Sequence, residues 1–437
     1  MDYRNIDKQL AEKLQAIAKE RIIRPMEPGK DYIPASGKVL FEEDLLMGVD
    51  AVLDGWLTGG RFNMEFEEKL AKMIGSKRVL TVNSGSSANL LAFATLTSKK
   101  LGDRALTPGD EVITVASGFP TTVNPILQFQ CVPVLVDVTI PGYNANVAML
   151  EEAVSPKTKA IMLAHTLGNP FDLDAVMAVA KKHDLWVIED NCDALGAEFS
   201  GKKTGTVGDL GTCSFYPAHH ITMGEGGAVL INNSKLKRIA ESMRDWGRDC
   251  WCETGHDNTC KNRFGGQYGD LPFGYDHKYV YSERGFNFKI TDIQAAIGLS
   301  QMDRMEPFAE KRRHNHEYLT NLIKSELGDL IIADEAHPKA TPSWFGCTFT
   351  LNEGFPKNRH ALLQYLEEHK VGSRLLFAGN ILKQPGYLDM PHRVVGPLDN
   401  TDRVMNDTFW VGSWPGLEDR HLDYIAEQIV NFIKENK

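Results

Sequence analysis

One polar turn places two adjacent histidines between two apolar runs. Residues 214–227 read Ser-Phe-Tyr-Pro-Ala-His-His-Ile-Thr-Met-Gly-Glu-Gly-Gly. The flanking runs, 207–215 and 228–232, predict strands, so the turn would lie at the edge of a sheet, where loops carry functional groups. Imidazole has an unperturbed pKa near neutrality, which makes His219 and His220 candidate general bases. A structural histidine at a turn explains the same residues.

A second candidate is a hydroxyl-rich turn that follows a short β-rich run. Residues 82–89 read Val-Asn-Ser-Gly-Ser-Ser-Ala-Asn and open a predicted helix over 86–96. Backbone N–H groups at a helix N-terminus bind phosphate, so Gly85 and Ser86 are candidate phosphate contacts. A plain turn with a serine N-cap explains the same sequence.

A pair of acids, Glu189 and Asp190, ends another apolar run. A carboxylate at the end of a strand can keep a pyridinium nitrogen protonated, which makes the ring an electron sink. A helix N-cap or a solvated strand end explains the acids equally well.

Four cysteines form a possible metal-binding set. Cys250, Cys252 and Cys260 lie within eleven residues, and Cys192 follows Asp190 by two positions. Three thiols could close around a metal, with a fourth brought in by the fold. The spacing is that of neither a zinc finger nor a common ferredoxin. Free thiols, structural zinc and an iron–sulfur cluster therefore stay open on spacing alone.

The elements that must position these residues alternate between strands and helices from Arg78 onward. Such alternation predicts an α/β fold with a mostly parallel, doubly wound sheet and ligands at the carboxyl ends of its strands. Buried strands are predicted at 78–82, 111–115, 132–138, 159–164 and 185–188.

The chain divides into three predicted parts. Residues 1–40 form an arm, with a helix over 9–23, that we expect to pack on a partner subunit. Residues 41–305 form a large cofactor-binding domain, with a cysteine-bearing insertion at 248–285. Residues 306–437 form a smaller C-terminal α+β domain.

Composition excludes several classes of protein. The 437 residues are 42% apolar and 24% charged, as in globular proteins, and the net charge of −10 argues against a general binder of nucleic acid or membrane surfaces. The sequence has no run of 18 apolar residues, so no transmembrane helix is predicted. Since the first residues lack an apolar signal core, we expect a cytoplasmic protein.

Together and in this order, the motifs resemble the sugar aminotransferases of the fold-type I, pyridoxal-phosphate (PLP) family. The resemblance covers roughly residues 40–300 and includes the segment 285–296, Gly-Phe-Asn-Phe-Lys-Ile-Thr-Asp-Ile-Gln-Ala-Ala. It implies the fold-type I fold and a homodimer. It also implies cofactor contacts: Gly85, Ser86 and Ser214 on the phosphate, Phe119 stacked on the ring, Asp190 on the ring nitrogen, and Asn287 reaching the phosphate from the other subunit.

The chain departs from that family where the cofactor lysine is expected, because His219 stands there. Imidazole cannot form the internal Schiff base. The resemblance then implies non-covalent pyridoxamine phosphate (PMP), with His219 as base near its C4′ atom. Asp193 and Tyr216 also differ from many relatives, and with His220 and Arg374 they are candidates for tuning the ring or binding substrate. Neutral drift explains the first two equally, and a surface ion pair explains Arg374.

His219 combined with the spacing C-x57-C-x-C-x7-C resembles, within this family, the iron–sulfur 3-dehydrases of 3,6-dideoxyhexose and lipopolysaccharide O-antigen biosynthesis. The resemblance implies the substrate CDP-4-keto-6-deoxy-D-glucose, from which the C3 hydroxyl is expelled. It also implies an NADH-dependent flavin iron–sulfur reductase as electron donor. The relay would be a [2Fe–2S] cluster on Cys192, Cys250, Cys252 and Cys260.

Two other functions stay open on the sequence. A cluster-free, PMP-dependent dehydrase of a GDP-ketosugar explains His219 equally well but gives the cysteines no purpose. A non-catalytic PLP-fold sensor with structural zinc explains the missing lysine. It does not explain the retained contacts to phosphate, ring and ring nitrogen.

Overall fold

A computed structural model describes residues 3–22, 25–252 and 255–436 of the chain. Its strands are β1 Arg78–Val82, β2 Glu111–Val115, β3 Val132–Val136, β4 Thr158–Ala164, β5 Trp186–Asp190, β6 Glu198–Phe199, β7 Lys202–Lys203, β8 Leu210–Ser214, β9 Gly227–Ile231, β10 Ile331–Ala333, β11 Ala340–Thr341, β12 Gly346–Leu351, β13 Ser373–Leu375, β14 Arg393–Val394 and β15 Thr408–Gly412. Its α-helices are α1 Lys8–Ile22, α2 Glu42–Leu53, α3 Arg61–Ile74, α4 Gly85–Thr95, α5 Pro120–Gln128, α6 Leu150–Ala153, α7 Leu173–His183, α8 Lys237–Arg244, α9 Asp292–Gln301, α10 Met305–Leu327, α11 Arg359–Glu368, α12 Asp399–Asp407 and α13 Asp419–Asn436. Ile23, the last residue of the predicted arm helix, lies outside the described residues.

The main sheet has eight strands in the order β1-β9-β8-β5-β4-β2-β3-β14. The pairs from β8 to β14 are parallel, and β9 alone runs antiparallel to its neighbours β1 and β8. The predicted α/β fold with a mostly parallel sheet is therefore confirmed.

Helices cover both faces of this sheet, which is why its strands are nearly continuous apolar runs. On one face Phe93 of α4 packs in a buried cluster with Leu80 and Ile188. On the other, Val176 of α7 packs with Ile113. Burial of each such side chain stabilises the fold by roughly 1.5–3 kcal/mol. The sheet is therefore a rigid support for the residues at its edge.

The strand register brings the predicted site residues to one edge of that sheet. Asp190, the last residue of β5, pairs with Thr212 of β8. Ser214, two residues further along β8, pairs with Gly227, which also pairs with Val82 at the end of β1. The carboxyl ends of β1, β5 and β8 therefore lie side by side.

The C-terminal part of the chain builds a second, antiparallel sheet of four strands, β10-β12-β15-β13. Helices α10, α11 and α13 enclose a separate core with it, in which Leu319, Leu362 and Ile429 pack against Phe349. The two residues of β14 instead extend the main sheet beside β3. The predicted domain boundaries stay a prediction.

The cysteine-bearing segment 248–285 contains no α-helix or β-strand in its described residues, 248–252 and 255–285. A single 3-10 turn, His277–Tyr279, interrupts it. Among the described residues, no helix is long and apolar enough to cross a membrane.

Candidate active site

The hydroxyl-rich turn forms an anion cradle at the start of α4. The Ser84 Oγ accepts a hydrogen bond from the Ser87 N–H at 3.1 Å and so caps the helix. The first N–H groups of a helix, here those of Gly85 and Ser86, have no partner within the helix. A Cβ on Gly85 would lie 2.5 Å from the Ser214 Cβ, so glycine lets Ser214 approach the turn. Phosphate fits this cradle.

Asp190 is buried beside the cradle and is held by neighbouring donors. Its Oδ2 accepts hydrogen bonds from the Asn89 Nδ2 at 2.7 Å and the Thr122 Oγ1 at 2.6 Å. Its Oδ1 accepts one from the Cys192 N–H at 3.2 Å. The carboxylate is thereby fixed in orientation at the end of β5, as a contact to a ring nitrogen requires.

Two aromatic rings near this carboxylate are half exposed. Phe119 is 48% exposed at the start of α5, the helix that carries Thr122, and it packs edge-on against Phe377 at a centroid distance of 5.9 Å. Tyr216 is 50% exposed and lies edge-on to His219, with centroids 6.4 Å apart. Exposed rings at a polar site offer stacking surfaces to a flat ligand. The contact from Phe377 was missed by the sequence reasoning.

His219 and Asp193 face each other at the edge of this site. The His219 Nδ1 lies 3.4 Å from the Asp193 Oδ1 but makes no hydrogen bond of good geometry. Burial, reinforced by the Arg312 charge, lowers the pKa of His219 to about 4. Burial, reinforced by the Asp190 charge, raises the pKa of Asp193 to about 7. At neutral pH the imidazole is therefore uncharged, beside a carboxyl that is partly protonated.

His220 has a different environment from its neighbour. It is buried, and its Nε2 lies 2.6 Å from the Ser343 carbonyl oxygen, to which it donates. Burial and the Arg312 charge hold its pKa well below the ordinary value. A histidine tied to a backbone carbonyl anchors the turn, so the geometry favours His219 as the reactive histidine.

Arg312 is a buried cation that the sequence reasoning missed. It lies on the inner face of α10, and its Nη1 donates to the carbonyl oxygens of Trp344 and Phe345 at 3.1 and 3.4 Å. Burial lowers its pKa to about 9, against the opposing charge of Asp193. A signal was available, because this arginine occupies an inward position of an otherwise amphipathic helix.

Two further predicted residues lie at the surface. Asn287 is exposed, and its Oδ1 accepts a hydrogen bond from the Lys289 Nζ at 2.7 Å. Its predicted reach to a partner subunit's phosphate stays a prediction. Arg374 is exposed on β13, where its Nη1 donates to the Ser373 carbonyl at 2.7 Å. Within the described ranges no carboxylate lies in ion-pair distance of Arg374, so the expected surface ion pair is not formed.

The structure divides the four predicted metal-binding cysteines. Cys250, Cys252 and Cys260 line one small pocket together with His277. Cys192 lies elsewhere: its thiol is next to Gly85, at the anion cradle. Because Cys192 lies two residues after the end of β5, the sheet edge determines its place. Among the described residues, Cys192 does not line the pocket of the other three thiols. The predicted four-cysteine metal site stays a prediction.

The fold and this site define an enzyme with the fold-type I architecture of PLP-dependent transferases. A model of the DegT/DnrJ/EryC1/StrS aminotransferase family matches residues 41–430, and the chain belongs to that family. The resemblance inferred from the motifs is thereby confirmed.

Similar proteins include sugar dehydratases. The chain is 54% identical to the lipopolysaccharide biosynthesis protein RfbH of Salmonella typhimurium over 100% of both chains. It is 48% identical to the dTDP-4-dehydro-2,6-dideoxy-D-glucose 3-dehydratase of Saccharopolyspora spinosa, over 93% of this chain and 88% of that one. A solved structure of the Escherichia coli GDP-4-keto-6-deoxy-D-mannose-3-dehydratase with bound hydrated PLP has a TM-score of 0.82 and 28% identity, over 91% of this chain and 99% of that one.

Proposed function

We propose that this chain is a PMP-dependent nucleotide-sugar 3-dehydrase that acts on CDP-4-keto-6-deoxy-D-glucose on the route to 3,6-dideoxyhexoses. The observation that carries the proposal is the uncharged His219 beside Asp193, at the position where the family has its lysine. The retained anion cradle and the fixed Asp190 support a working cofactor site and argue against a sensor.

The residues of the site fit PMP. Gly85, Ser86 and Ser214 would bind its phosphate, Phe119 would stack on its ring and Asp190 would contact its ring nitrogen. When bound, PMP supplies an amine that condenses with a sugar ketone and a ring that takes up an electron pair. The half-exposed Tyr216 lies on the side of His219 and would bound the space for the sugar.

His219 would act as the general base. A base must be unprotonated at the working pH, and burial with the Arg312 charge keeps this imidazole neutral. It would remove a proton at the C4′ atom of the cofactor and hold it near Asp193. Since Asp193 has a pKa of about 7, its carboxyl can donate or accept a proton in return. His220 would keep the turn in place through Ser343.

The proposal includes a [2Fe–2S] cluster and a separate NADH-dependent flavin iron–sulfur reductase. The three thiols that line one pocket of the segment 248–285 support it, since a cluster-free dehydrase has no use for them. The spacing C-x57-C-x-C-x7-C supports it further. Complete removal of the hydroxyl requires two electrons, and a reductase of this kind would supply them.

A second candidate substrate is a dTDP-linked 4-keto-2,6-dideoxy sugar. The observation that favours it is the 48% identity to the Saccharopolyspora spinosa enzyme of that name. Incubation with CDP-, dTDP- and GDP-linked 4-keto sugars, PMP and a chemical reductant, followed by mass analysis for loss of one oxygen atom, separates the candidates. We expect turnover of the CDP sugar to exceed that of the other two by at least tenfold, and equal turnover would refute the CDP assignment.

Proton exchange tests the role of His219 without the full reaction. In deuterium oxide with PMP, the enzyme is expected to exchange a C4′ proton, which proton NMR detects. His219→Asn should abolish the exchange while PMP still binds, as measured by its absorbance change. The matched control is His220→Asn, which should retain exchange. Normal exchange in His219→Asn would remove this residue from the role of base.

A further inference from the structure

A small cavity under the histidine turn is lined by polar side chains from three parts of the chain. Its volume is about 10 Å³, and its lining includes His219, His220 and Thr222 of the turn, Gln301 of α9 and Arg312 of α10. A cavity of roughly 10–15 Å³ holds one water molecule, and a buried water usually makes about three hydrogen bonds to polar groups. The size and the lining of this cavity therefore fit a single water.

Two of the polar side chains at the cavity are already hydrogen-bonded within the protein. The Thr222 Oγ1 donates to the Phe215 carbonyl at 3.1 Å and accepts from the Gly224 N–H at 3.0 Å. The Gln301 side chain donates two hydrogen bonds through its Nε2 and accepts one at its Oε1. Neither side chain therefore needs a further partner.

The other three polar side chains each have one buried nitrogen without a hydrogen-bond partner among the described residues. These nitrogens are the Arg312 Nε, the His219 Nδ1 and the His220 Nδ1. Native proteins satisfy nearly all of their buried polar groups, and they often do so through ordered water. Three such nitrogens around one cavity therefore indicate a shared partner.

The hydrogen-bonding roles of two of the nitrogens are fixed. The Arg312 Nε always carries a proton, so it can only donate. His220 donates through its Nε2 to the Ser343 carbonyl, and burial with the Arg312 charge holds its pKa well below the ordinary value. A neutral imidazole has a single N–H, so the His220 Nδ1 can only accept. One water can accept from Arg312 and donate to His220 at the same time.

The third nitrogen belongs to the proposed base. The His219 Nδ1 lies 3.4 Å from the Asp193 Oδ1 without good hydrogen-bond geometry, so this carboxyl does not fix which ring nitrogen carries the proton. The side chain is 14% exposed, and of its two nitrogens only Nδ1 is buried without a partner. Nε2 is therefore the nitrogen that a ligand can reach. A neutral imidazole that acts as a base through Nε2 must carry its proton on Nδ1.

We propose that one buried water accepts hydrogen bonds from the Arg312 Nε and the His219 Nδ1 and donates one to the His220 Nδ1. This water keeps the His219 proton on Nδ1, which leaves Nε2 free to act as the base. Arg312 and His220 are then positioning residues that act on His219 through the water. The inference rests on the proposed function only for the role of His219 as base, because the water and the tautomer are properties of the chain without cofactor or substrate.

Two substitutions of His220 separate the bond to the water from the bond to Ser343. His220→Asn places an amide oxygen where Nδ1 stood and loses the donor to Ser343. His220→Gln keeps a donor near the place of Nε2 and loses the acceptor for the water. In crystal structures we expect the water in His220→Asn and not in His220→Gln. The C4′ proton exchange should be at least about tenfold slower in His220→Gln than in His220→Asn, because the tautomer of His219 is no longer held.

A role of His220 as an anchor through Ser343 alone predicts the reverse order of the two variants. Equal exchange rates, or faster exchange in His220→Gln, would therefore overturn the proposal. Measurements on the wild type decide the case where a variant folds poorly. A crystal structure of the wild type should show a water within hydrogen-bond distance of all three nitrogens.

Nitrogen-15 chemical shifts of the histidine rings report the tautomer in the wild-type protein without PMP or sugar. We expect His219, identified by the signals that His219→Asn loses, to be protonated at Nδ1 and unprotonated at Nε2. The opposite tautomer, or a crystal structure without a water bound to Arg312 and His220, would overturn this inference and leave the proposed function intact. Failure to convert any 4-keto sugar, with the water and the Nδ1 proton present, would refute the proposed function alone.

Discussion

Replacing Asp193 by asparagine tests the electrostatics on which the proposed base depends. The wild-type carboxyl has a pKa raised from 3.8 to about 7 by burial and by Asp190. This rise in pKa corresponds to about 4 kcal/mol of free energy by which the folded state favours the protonated over the ionised carboxyl. Because the side chain is still 16% exposed, we expect about 2–4 kcal/mol in practice.

The sign follows from the direction of the pKa change. An acid whose pKa is higher in the folded state stabilises the fold fully below its unfolded pKa, and this contribution is lost as the pH rises. For Asp193 the loss runs from about pH 4 to about pH 7. The amide of the variant does not ionise, so it contributes no loss of stability across this pH interval. The wild type should therefore lose about 2–4 kcal/mol of stability relative to Asp193→Asn across that interval, and nothing further above it.

Urea denaturation of both proteins at several pH values, followed by tryptophan fluorescence, measures this difference. Asp389→Asn changes an exposed carboxyl and is the control, for which we expect a difference from the wild type that does not vary with pH. A difference between the wild type and Asp193→Asn that is equally independent of pH would refute the assignment of a buried, readily protonated carboxyl beside His219.

Two further predictions concern the cradle and the buried cation. Gly85→Ala would place a Cβ 2.5 Å from the Ser214 Cβ, so Ser214 would have to move, at a cost of about 1–3 kcal/mol. We expect PMP binding, measured by absorbance titration, to weaken about tenfold or more. Gly386→Ala is the control: its Cβ would have no heavy atom within 4 Å, so PMP affinity should not change. Arg312→Gln removes a charge that lowers the pKa of His219, so the acid limb of the C4′ exchange profile should move to higher pH. The neighbouring Arg313→Gln should not move that limb, and equal profiles for both variants would contradict the role given to Arg312.

The positions of the residues in the proposed cofactor site were predictable because they lie at strand ends. Gly85, Asp190 and Ser214 each follow an apolar run, and parallel strands bring their carboxyl ends to one edge. The antiparallel β9 does not change this arrangement of strand ends, because it begins after the turn that carries His219 and runs back along β8. Local sequence and sheet topology together were therefore enough for these positions.

The residues that set the chemistry of His219 were not predictable in the same way. Arg312 and Phe345 lie more than ninety positions further along the chain and reach the site through tertiary contacts. The ring centroids of Phe345 and His219 are 5.2 Å apart, and Arg312 donates to the Phe345 carbonyl. The position of His277, which lines the pocket of the three loop thiols, was also not predictable, because it follows Cys260 by seventeen positions without any motif. Spacing identifies which thiols are near each other in sequence, but Cys192 shows that it does not decide which share a pocket in space.

Replacing lysine by histidine does not by itself create a base. An imidazole beside an ionised carboxylate would have a raised pKa and would be partly protonated near neutrality. Here Arg312 and burial act in the opposite direction on His219, while Asp190 and burial raise the pKa of Asp193. The pKa values of the two groups are thus moved apart, as in acid–base pairs whose roles differ. In the proposed mechanism the neutral imidazole would accept the C4′ proton, and the protonated carboxyl would return one. Above about pH 7, Asp193 loses its proton and can no longer return one. The adaptation therefore includes the buried Arg312 as well as the histidine.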